Sequence, residues 1–549
     1  MEIFFTILIL ILIVSVSDVI TKFIHFHIPL PIIQIIIGAL LAWPNFGLHI
    51  DFDPELFMVL LIPPLLFVDG WKTSTREFFQ NWREIFLLVF GLVLVTIVSV
   101  AYLIHWLLPD IPLVIAFAVG AVISPTDAVV LSSIIGRNKI PSKMMSILEG
   151  EALMNDASGL VALKFAIAIA IGTMIFTVST IIFEFFKIAI GGLLTGIVVT
   201  WMYSKSFRIM SRWSNNDLTT QMILMLLLPF ASYLISEYIG FSGILSAVSA
   251  GMTISKAGVI RNAPLAMRLR SDNVWSILEF LFNGLVFIML GLQLPGIWET
   301  FIIQSDLNPA INTSSLCIII LIIYVVLLLL RFTWLWFMQL CSKMFLKKFP
   351  LQFISYSFYD LCLASFAGVR GAITLAGVLS IPLFLTDNTP FSIRYQLVFI
   401  TAGIIILSIV IGVIALPILL RTFKNGNMEM NVNEIQMAKA AMAEVAIISL
   451  NKMEERLSVD SEEILDPEII SEVASRVTDY LRRRINNQDK IEYNMLIEDL
   501  ERRFRLTALH AERAELYHMR ATKKISNETM RALLSDLDLM EVLLINKED

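Results

Sequence analysis

Long runs of apolar residues recur from the first residue to about residue 421. A hydrocarbon layer about 30 Å thick takes roughly 20 apolar residues per helix. Bounded by charges, Gly or Pro, the runs predict about thirteen spans, near 2–22, 28–43, 55–69, 84–108, 112–135, 146–170, 178–203, 219–239, 241–254, 273–294, 313–337, 358–384 and 395–420. After residue 423 the pattern changes. Residues 434–457 repeat apolar positions at helical spacing, 466–506 continue with mixed charge including Arg482, Arg483 and Arg484, and 508–544 form an amphipathic stretch ending in Leu533, Leu534, Leu537, Leu539 and Leu543. Such stretches predict solvated helices that pack on partner helices. The expected organisation is an all-α polytopic membrane domain, 1–423, followed by a helical tail, 424–549.

Composition agrees with this division. The 549 residues are 57% hydrophobic and 16% charged, with mean hydropathy +0.78. Of the 126 residues from 424 onward, 43 are charged, so charge is concentrated in the tail. There is no basic stripe or aromatic platform for nucleic acid. Cys317, Cys341 and Cys362 lie in or beside apolar runs without metal or redox spacing and read as packing residues. The first run lacks a basic leader and a small-residue cleavage site, so it reads as a retained span. His25 and His27 read as interfacial residues, not as a metal pair.

Loop charges orient the chain, because cytoplasmic loops collect Lys and Arg. One alternating set of loops holds Lys22; Lys72, Arg76 and Arg83; Arg137, Lys139 and Lys143; Lys205, Arg208 and Arg212; Lys256, Arg261, Arg268 and Arg270; and Lys343, Lys347 and Lys348. The other set holds one cation, Arg394, with Asp51, Asp53, Asp110, Glu299, Asp306 and Asp387. The N-terminus is therefore expected outside and the tail in the cytoplasm.

Ionisable side chains inside a span are costly and mark candidate functional positions. Asp18, Glu184, Lys187, Glu237 and Asp272 sit near span ends and read as interfacial. Asp127, Glu151, Asp156 and Arg370 remain, with Asp69, Lys164, Glu279 and Arg331 behind them. Ser124-Pro125-Thr126-Asp127 has the form of a helix start in mid-membrane: a Ser cap, Pro at the first position and an acid in the first turn. That form predicts a broken span, of the kind that builds ion sites; a simple proline kink whose Asp satisfies freed amides is the alternative. Asn155-Asp156 falls mid-span, with Ala152, Asp156, Gly159 and Leu163 on one helical face and Glu151 and Asn155 on the next. Small residues around Asp156 admit a close backbone neighbour. Gly368 and Gly371 flank Arg370, whose guanidinium can meet a carboxylate, with Glu151 the expected partner, or the carbonyl end of a half-helix.

The segments GEALMNDASGLV, SPTDAVV, GVRGAITLA, FMVLLIPPLLFVDGW (57–71) and FNGLVFIMLGLQLP (282–295) together resemble bacterial sodium/proton antiporters of the NhaP type and, more distantly, animal sodium/proton exchangers. The motifs spread over residues 55–421, and LHAERAELYHMRATKKISNETMRALLSDLDLMEVLL (509–544) resembles the tail common in bacterial members. The resemblance implies the antiporter fold, with inverted repeats, a six-helix core holding two crossing broken helices, and a separate dimerisation domain in a homodimer of the bacterial inner membrane. It implies Asp156 as the carrier of proton and cation, with Asn155 beside it, Thr126 offering an oxygen, Asp127 acting through water or by balancing helix dipoles, and Glu151 bridging to Arg370. Two departures stand out. Ala152 replaces the Ser common four residues before the Asp, and Val68 separates Asp69 from the motif that the family's acid follows directly. Ser158, Ser124 or water is left to supply the missing oxygens, with Asp69 as an accessory.

A carboxylate taken out of water favours neutralisation, by a proton or by a hard cation. Exchange then follows if the domain crosses only when Asp156 is neutral, since moving a bare charge is costly. Asn155 stands where electrogenic relatives carry a second Asp, so electroneutral one-for-one exchange is expected. The expected function is sodium/proton antiport without a cofactor, and not enzymatic catalysis; lithium or potassium is the alternative cargo, a potassium/proton antiporter of the same family the nearest alternative, and a cation channel the alternative of another class. Tyr359-Asp360 has half of an intramembrane aspartyl protease signature, but the partner Gly-x-Gly-Asp is missing from the sequence.

Overall fold

The computed structural model describes residues 2–23, 28–43, 59–135, 140, 142–170, 178–213, 218–257, 265–307, 313–345, 357–381, 394–421, 441–452, 471–478 and 491–522, with isolated positions between 524 and 541. His25, His27, Asp51, Asp53, Arg137, Lys139, Arg261, Lys347, Lys348, Asp387 and Arg482 to Arg484 lie outside the described residues. The chain forms two compact units, Met1–Phe423 and Lys424–Asp549.

All regular structure among the described residues is helical. In the first unit the helices are α1 (Glu2–Phe23), α2 (Leu30–Leu41), α3 (Ile62–Lys72), α4 (Thr75–Gln80), α5 (Trp82–Phe86), a π-helical turn at Leu87–Leu92, α6 (Val93–Leu107), α7 (Leu113–Ile123), α8 (Ala128–Ile135), α9 (Ser142–Ala170), α10 (Val178–Trp213), α11 (Leu218–Ile239), α12 (Gly243–Lys256), α13 (Leu265–Leu307), α14 (Thr313–Phe345), α15 (Phe358–Phe366), α16 (Ala372–Leu379) and α17 (Arg394–Arg421). Among the described residues, eight stretches are long and apolar enough to cross a bilayer, and α7 with α8, bent by 41° at their break, makes a ninth. The other expected spans correspond to shorter helices, α2, α3, α12 and the pair α15 and α16, so fewer than the expected thirteen are long enough to cross alone.

Helices also outrun the apolar stretches that predicted them. The span expected to stop at 294 continues through Pro295 to Leu307, and α10 and α14 extend to Trp213 and Phe345. Backbone hydrogen bonding carries a helix past the hydrocarbon whatever the side chains, and at α10's polar end Lys205 lies 5.5 Å from the centre of the Trp201 ring. Large apolar side chains such as Phe5, Trp106, Phe183 and Trp336 are exposed, as a lipid-facing surface requires.

The helices pack in two groups. In the first, α3 lies on α12, α2 on α13, and α10 and α11 on α12, with α1 against α2 and α13. In the second, α7 lies between α6 and α9, and α14, α15, α16 and α8 gather on α17. Because lipid is as apolar as the helix surfaces, close packing must hold them together. Gly38 and Gly291 illustrate this. A Cβ on Gly291 would run into the Ile35 carbonyl and lie 3.0 Å from Gly38 Cα, so α2 and α13 meet backbone to backbone.

In the second unit, α18 (Ile491–Ala521) is the long helix. Arg513 pairs with Glu541, and His510 Nε2 is 3.2 Å from Glu541 Oε1. The Arg513 hydrogen bond, reinforced by His510, holds the Glu541 carboxyl below its ordinary range.

Replacing Gly291 with Ala should force α2 and α13 apart. We expect a loss of about 1–3 kcal/mol, the usual cost of overpacking, read as a lower thermal midpoint of the detergent-solubilised protein; an unchanged midpoint would show that the crossing tolerates a methyl group.

Candidate ion-binding site

The sequence Ser124-Pro125-Thr126-Asp127 breaks its span as expected, but the cap is not the expected one. Ser124 closes α7: its amide donates to Gly120 O at 3.1 Å and its hydroxyl to Ala121 O at 3.2 Å. Asp127 opens α8 instead. Its Oδ1 accepts from the amides of Val129 and Val130 at 2.8 and 3.1 Å. Pro125 carries no amide hydrogen and fixes its own φ, so the chain resumes its helix only where a carboxylate can take the freed donors.

The second break lies between α15 and α16, at Ala367-Gly368-Val369-Arg370-Gly371. The two breaks touch, because the Asp127 amide donates to Val369 O at 2.8 Å. Asp127 Oδ2 lies against Gly371, the residue that opens α16, where a Cβ would come within 2.6 Å of Asp127 Cγ. One carboxylate therefore faces the positive ends of two half-helices.

Arginines meet the negative ends. Arg370 donates from Nε to Ile123 O, the last carbonyl of α7, at 3.2 Å and from Nη1 to Gly368 O at 2.9 Å. Its amide donates to Ser408 Oγ at 3.1 Å. Arg331, on α14, donates from Nε to Ala364 O near the end of α15 at 2.8 Å. Arg394 closes α16 by donating to Ile381 O and Leu379 O at 2.8 and 2.9 Å.

This arrangement corrects the expected pair of Glu151 with Arg370. Glu151 is held by Arg331, whose Nη1 and Nη2 donate to Oε1 and Oε2 at 2.5 and 2.7 Å. Glu151 is fully buried and Arg331 nearly so. Arg370 is occupied by backbone carbonyls at its own break and at α7. The residue Gly368 lets Arg331 in: a Cβ there would lie 2.9 Å from Arg331 Cδ.

α9 brings Asp156 to the crossing. Gly159 packs on the break itself, since a Cβ would lie 2.5 Å from Pro125 Cγ and 2.8 Å from Ala121 O. One turn earlier Asp156 is half-buried, as are Asp127 and Asp69. Its carboxylate has no hydrogen-bond partner among the described residues. Beside it, the buried Asn155 Oδ1 is also without a partner there, which in a native interior signals a missing ligand or water. Thr126 is buried in the break. Ser158 donates to Asn155 O at 2.9 Å, so its oxygen can still accept, as can that of Ser124.

Asp69 comes from the other helix group, on α3. The charges of Asp127 and Asp69 both reach Asp156, and Asp69 in turn feels Glu279, Asp127, Lys72 and Glu149. The remaining candidates are held in ion pairs. Glu279 pairs with Lys72, and Lys164 donates to both oxygens of Glu237 at 3.0 and 2.9 Å. Asp360 caps α15 by accepting from the Ser357 amide at 2.8 Å, which accounts for it without a protease. Ser408, not singled out in the sequence, anchors the Arg370 backbone; a lone Ser in an apolar run gives no signal.

The family model described as "Sodium/hydrogen exchanger, transmembrane" matches residues 7–422. The chain belongs to this family. This exchanger is a multi-pass membrane protein, and its family is one of transporters. It is 58% identical over 547 residues, covering 100% of both chains, to a protein of Escherichia coli (strain K12) named as an uncharacterized Na(+)/H(+) exchanger, YjcE. It is 37% identical over 553 residues to a sodium, potassium, lithium and rubidium/H(+) antiporter of Bacillus pumilus (strain SAFR-032), covering 100% of this chain and 78% of the relative. The solved sodium proton antiporter MjNhaP1 of Methanocaldococcus jannaschii matches with a TM-score of 0.58 at 17% identity, over 77% of this exchanger and 99% of that chain. The antiporter fold is thereby shared.

Arg331→Met should leave Glu151 buried and uncompensated, at about 3–5 kcal/mol. A thermal-unfolding series is expected to show recovery when Glu151→Gln is added. The same Glu151 change should not rescue Arg370→Ala; rescue there would contradict the observed pairing.

Proposed function

We propose that this exchanger trades an alkali cation for a proton, one for one, with Asp156 holding either but not both. The observation that carries the reading is the state of the carboxylates at the crossing. Asp127 is engaged by helix N-termini and Glu151 by Arg331, whereas the Asp156 carboxylate has no hydrogen-bond partner among the described residues. Asn155 Oδ1, Thr126, and the oxygens of Ser158 and Ser124 stand as the proposed neutral ligands, with Asp69 as the accessory acid on the facing helix group and Asp127 tuning the site through its charge. Hard alkali cations take oxygen ligands, and this set supplies nothing else.

The relative from Bacillus pumilus, named for sodium, potassium, lithium and rubidium, supports a cargo broader than sodium alone. We take sodium as the principal cation and lithium and potassium as further cargo. In the cycle the proton leaves the Asp156 carboxyl for water as the cation binds, and the neutral complex crosses when the two helix groups shift about the site. Returning protonated, the carboxyl is neutral again. A bare Asp156 stays in place, because an uncompensated charge is costly to move through low dielectric. The chain is proposed to sit in the bacterial inner membrane as a homodimer, N-terminus outside, with residues 424–549 in the cytoplasm, following the loop charges.

In membrane vesicles with an imposed proton gradient, Asp156→Asn should abolish cation-dependent proton movement, and sodium should give the largest wild-type response. Robust exchange in the variant would overturn the assignment. Electroneutrality is tested by clamping the membrane potential: initial rates should not change with voltage, and a steep voltage dependence would require a second carried charge.

A further inference from the structure

The ion pair of Lys164 with Glu237 is used neither by the site nor by the proposed ion exchange. It joins the two helix groups, since Lys164 is on α9 and Glu237 on α11. Its place along the membrane axis follows from the packing. At one end, Lys256, the last residue of α12, lies 5.1 Å from the Phe79 ring centre, and Gly150 of α9 packs on Phe78, where a Cβ would lie 3.2 Å from Cδ2. Lys72, the last residue of α3 and three residues past Asp69, pairs with Glu279 at that end, and Glu149 lies next to Gly150 on α9, so acids of both helix groups gather there. The other end of α12 begins at Gly243, whose amide donates to Glu237 Oε1 at 3.2 Å. Along α9, Lys164 is eight residues past Asp156, about 12 Å, and Glu149 is seven residues before it, about 10 Å on the opposite side. The pair thus ties the two groups together on the far side of Asp156 from the acidic mouth.

We propose that Lys164 and Glu237 form a latch that keeps the far face closed and the acidic mouth open, and so set the resting access of the transport cycle. The pair acts through the position of the helix groups and touches neither proton nor cation, so these are positioning residues. The inference rests on the proposed antiport. The two groups can shift about Asp156 only if the contact between α9 and α11 is released, and an ion pair that exists in one arrangement alone biases the equilibrium by its own strength. The side chains are 58% and 31% exposed, so the bias is modest. A state populated by a smaller fraction binds with a proportionally weaker apparent affinity. Losing a half-exposed pair is therefore expected to move each apparent affinity by about two- to fivefold.

The test measures apparent sodium affinity at each face, in everted and right-side-out vesicles of the full-length protein. Lys164→Gln should weaken affinity at the face of the acidic mouth and strengthen it at the other. Lys164→Arg should retain wild-type values, and the exchange Lys164→Glu with Glu237→Lys should restore them. Unchanged affinities at both faces in Lys164→Gln, or affinities that move together, overturn the latch. If that variant does not accumulate in the membrane, Glu237→Gln is read by the same two affinities. Absence of sodium-dependent proton movement in the wild type would instead strike at the antiport reading, so the two failures are told apart.

Discussion

Two spans interrupted at mid-membrane leave backbone donors and acceptors where no lipid can satisfy them, and the site is built around meeting that need. Asp127 faces the amide ends of α8 and α16. Arg370 and Arg331 take the carbonyl ends of α7 and α15. The charges oppose the half-helix dipoles, so each helix end is compensated within the protein. Removing any of them would expose unpaired backbone groups that each cost several kcal/mol in hydrocarbon (of that order by transfer measurements).

That compensation explains why Asp156 differs from its neighbours. Asp127, Arg370, Arg331 and Glu151 are each committed to a helix end or to an ion pair, and their roles are fixed by the fold. Asp156 is brought alongside by Gly159 on Pro125 and is left half-buried, with the unpartnered Asn155 Oδ1 next to it. A rigid polar scaffold beside an uncommitted carboxylate suits a ligand that must be bound and released. Placement between two separately packed helix groups suits access that alternates.

The breaks were legible because their residues have no other good explanation: Pro within a Ser-Thr-Asp run, and Gly on both sides of an Arg, are poor choices for continuous apolar helices. The position of Asp156 was legible for a similar reason. The partner of Glu151 was not. Three mid-span charges at 151, 331 and 370 permit two pairings, and the choice turns on Gly368, whose missing side chain admits Arg331, and on the Ile123 carbonyl, which holds Arg370. Nor does sequence distinguish Ser124 from Asp127 as the cap, since both suit the position; the stronger acceptor takes the amides. Helix lengths were underestimated at α10, α13 and α14, because hydropathy reports the hydrocarbon and not the end of backbone hydrogen bonding.

In the proposed exchange a cation and a proton compete for a single carboxylate, and proton release on cation binding measures that competition. Sodium is titrated into purified protein in weakly buffered solution near neutral pH with a pH-indicating dye. Saturable proton release is expected from the wild type and none from Asp156→Asn. Equal release from both proteins, or sodium bound by the wild type without any proton released, would contradict it.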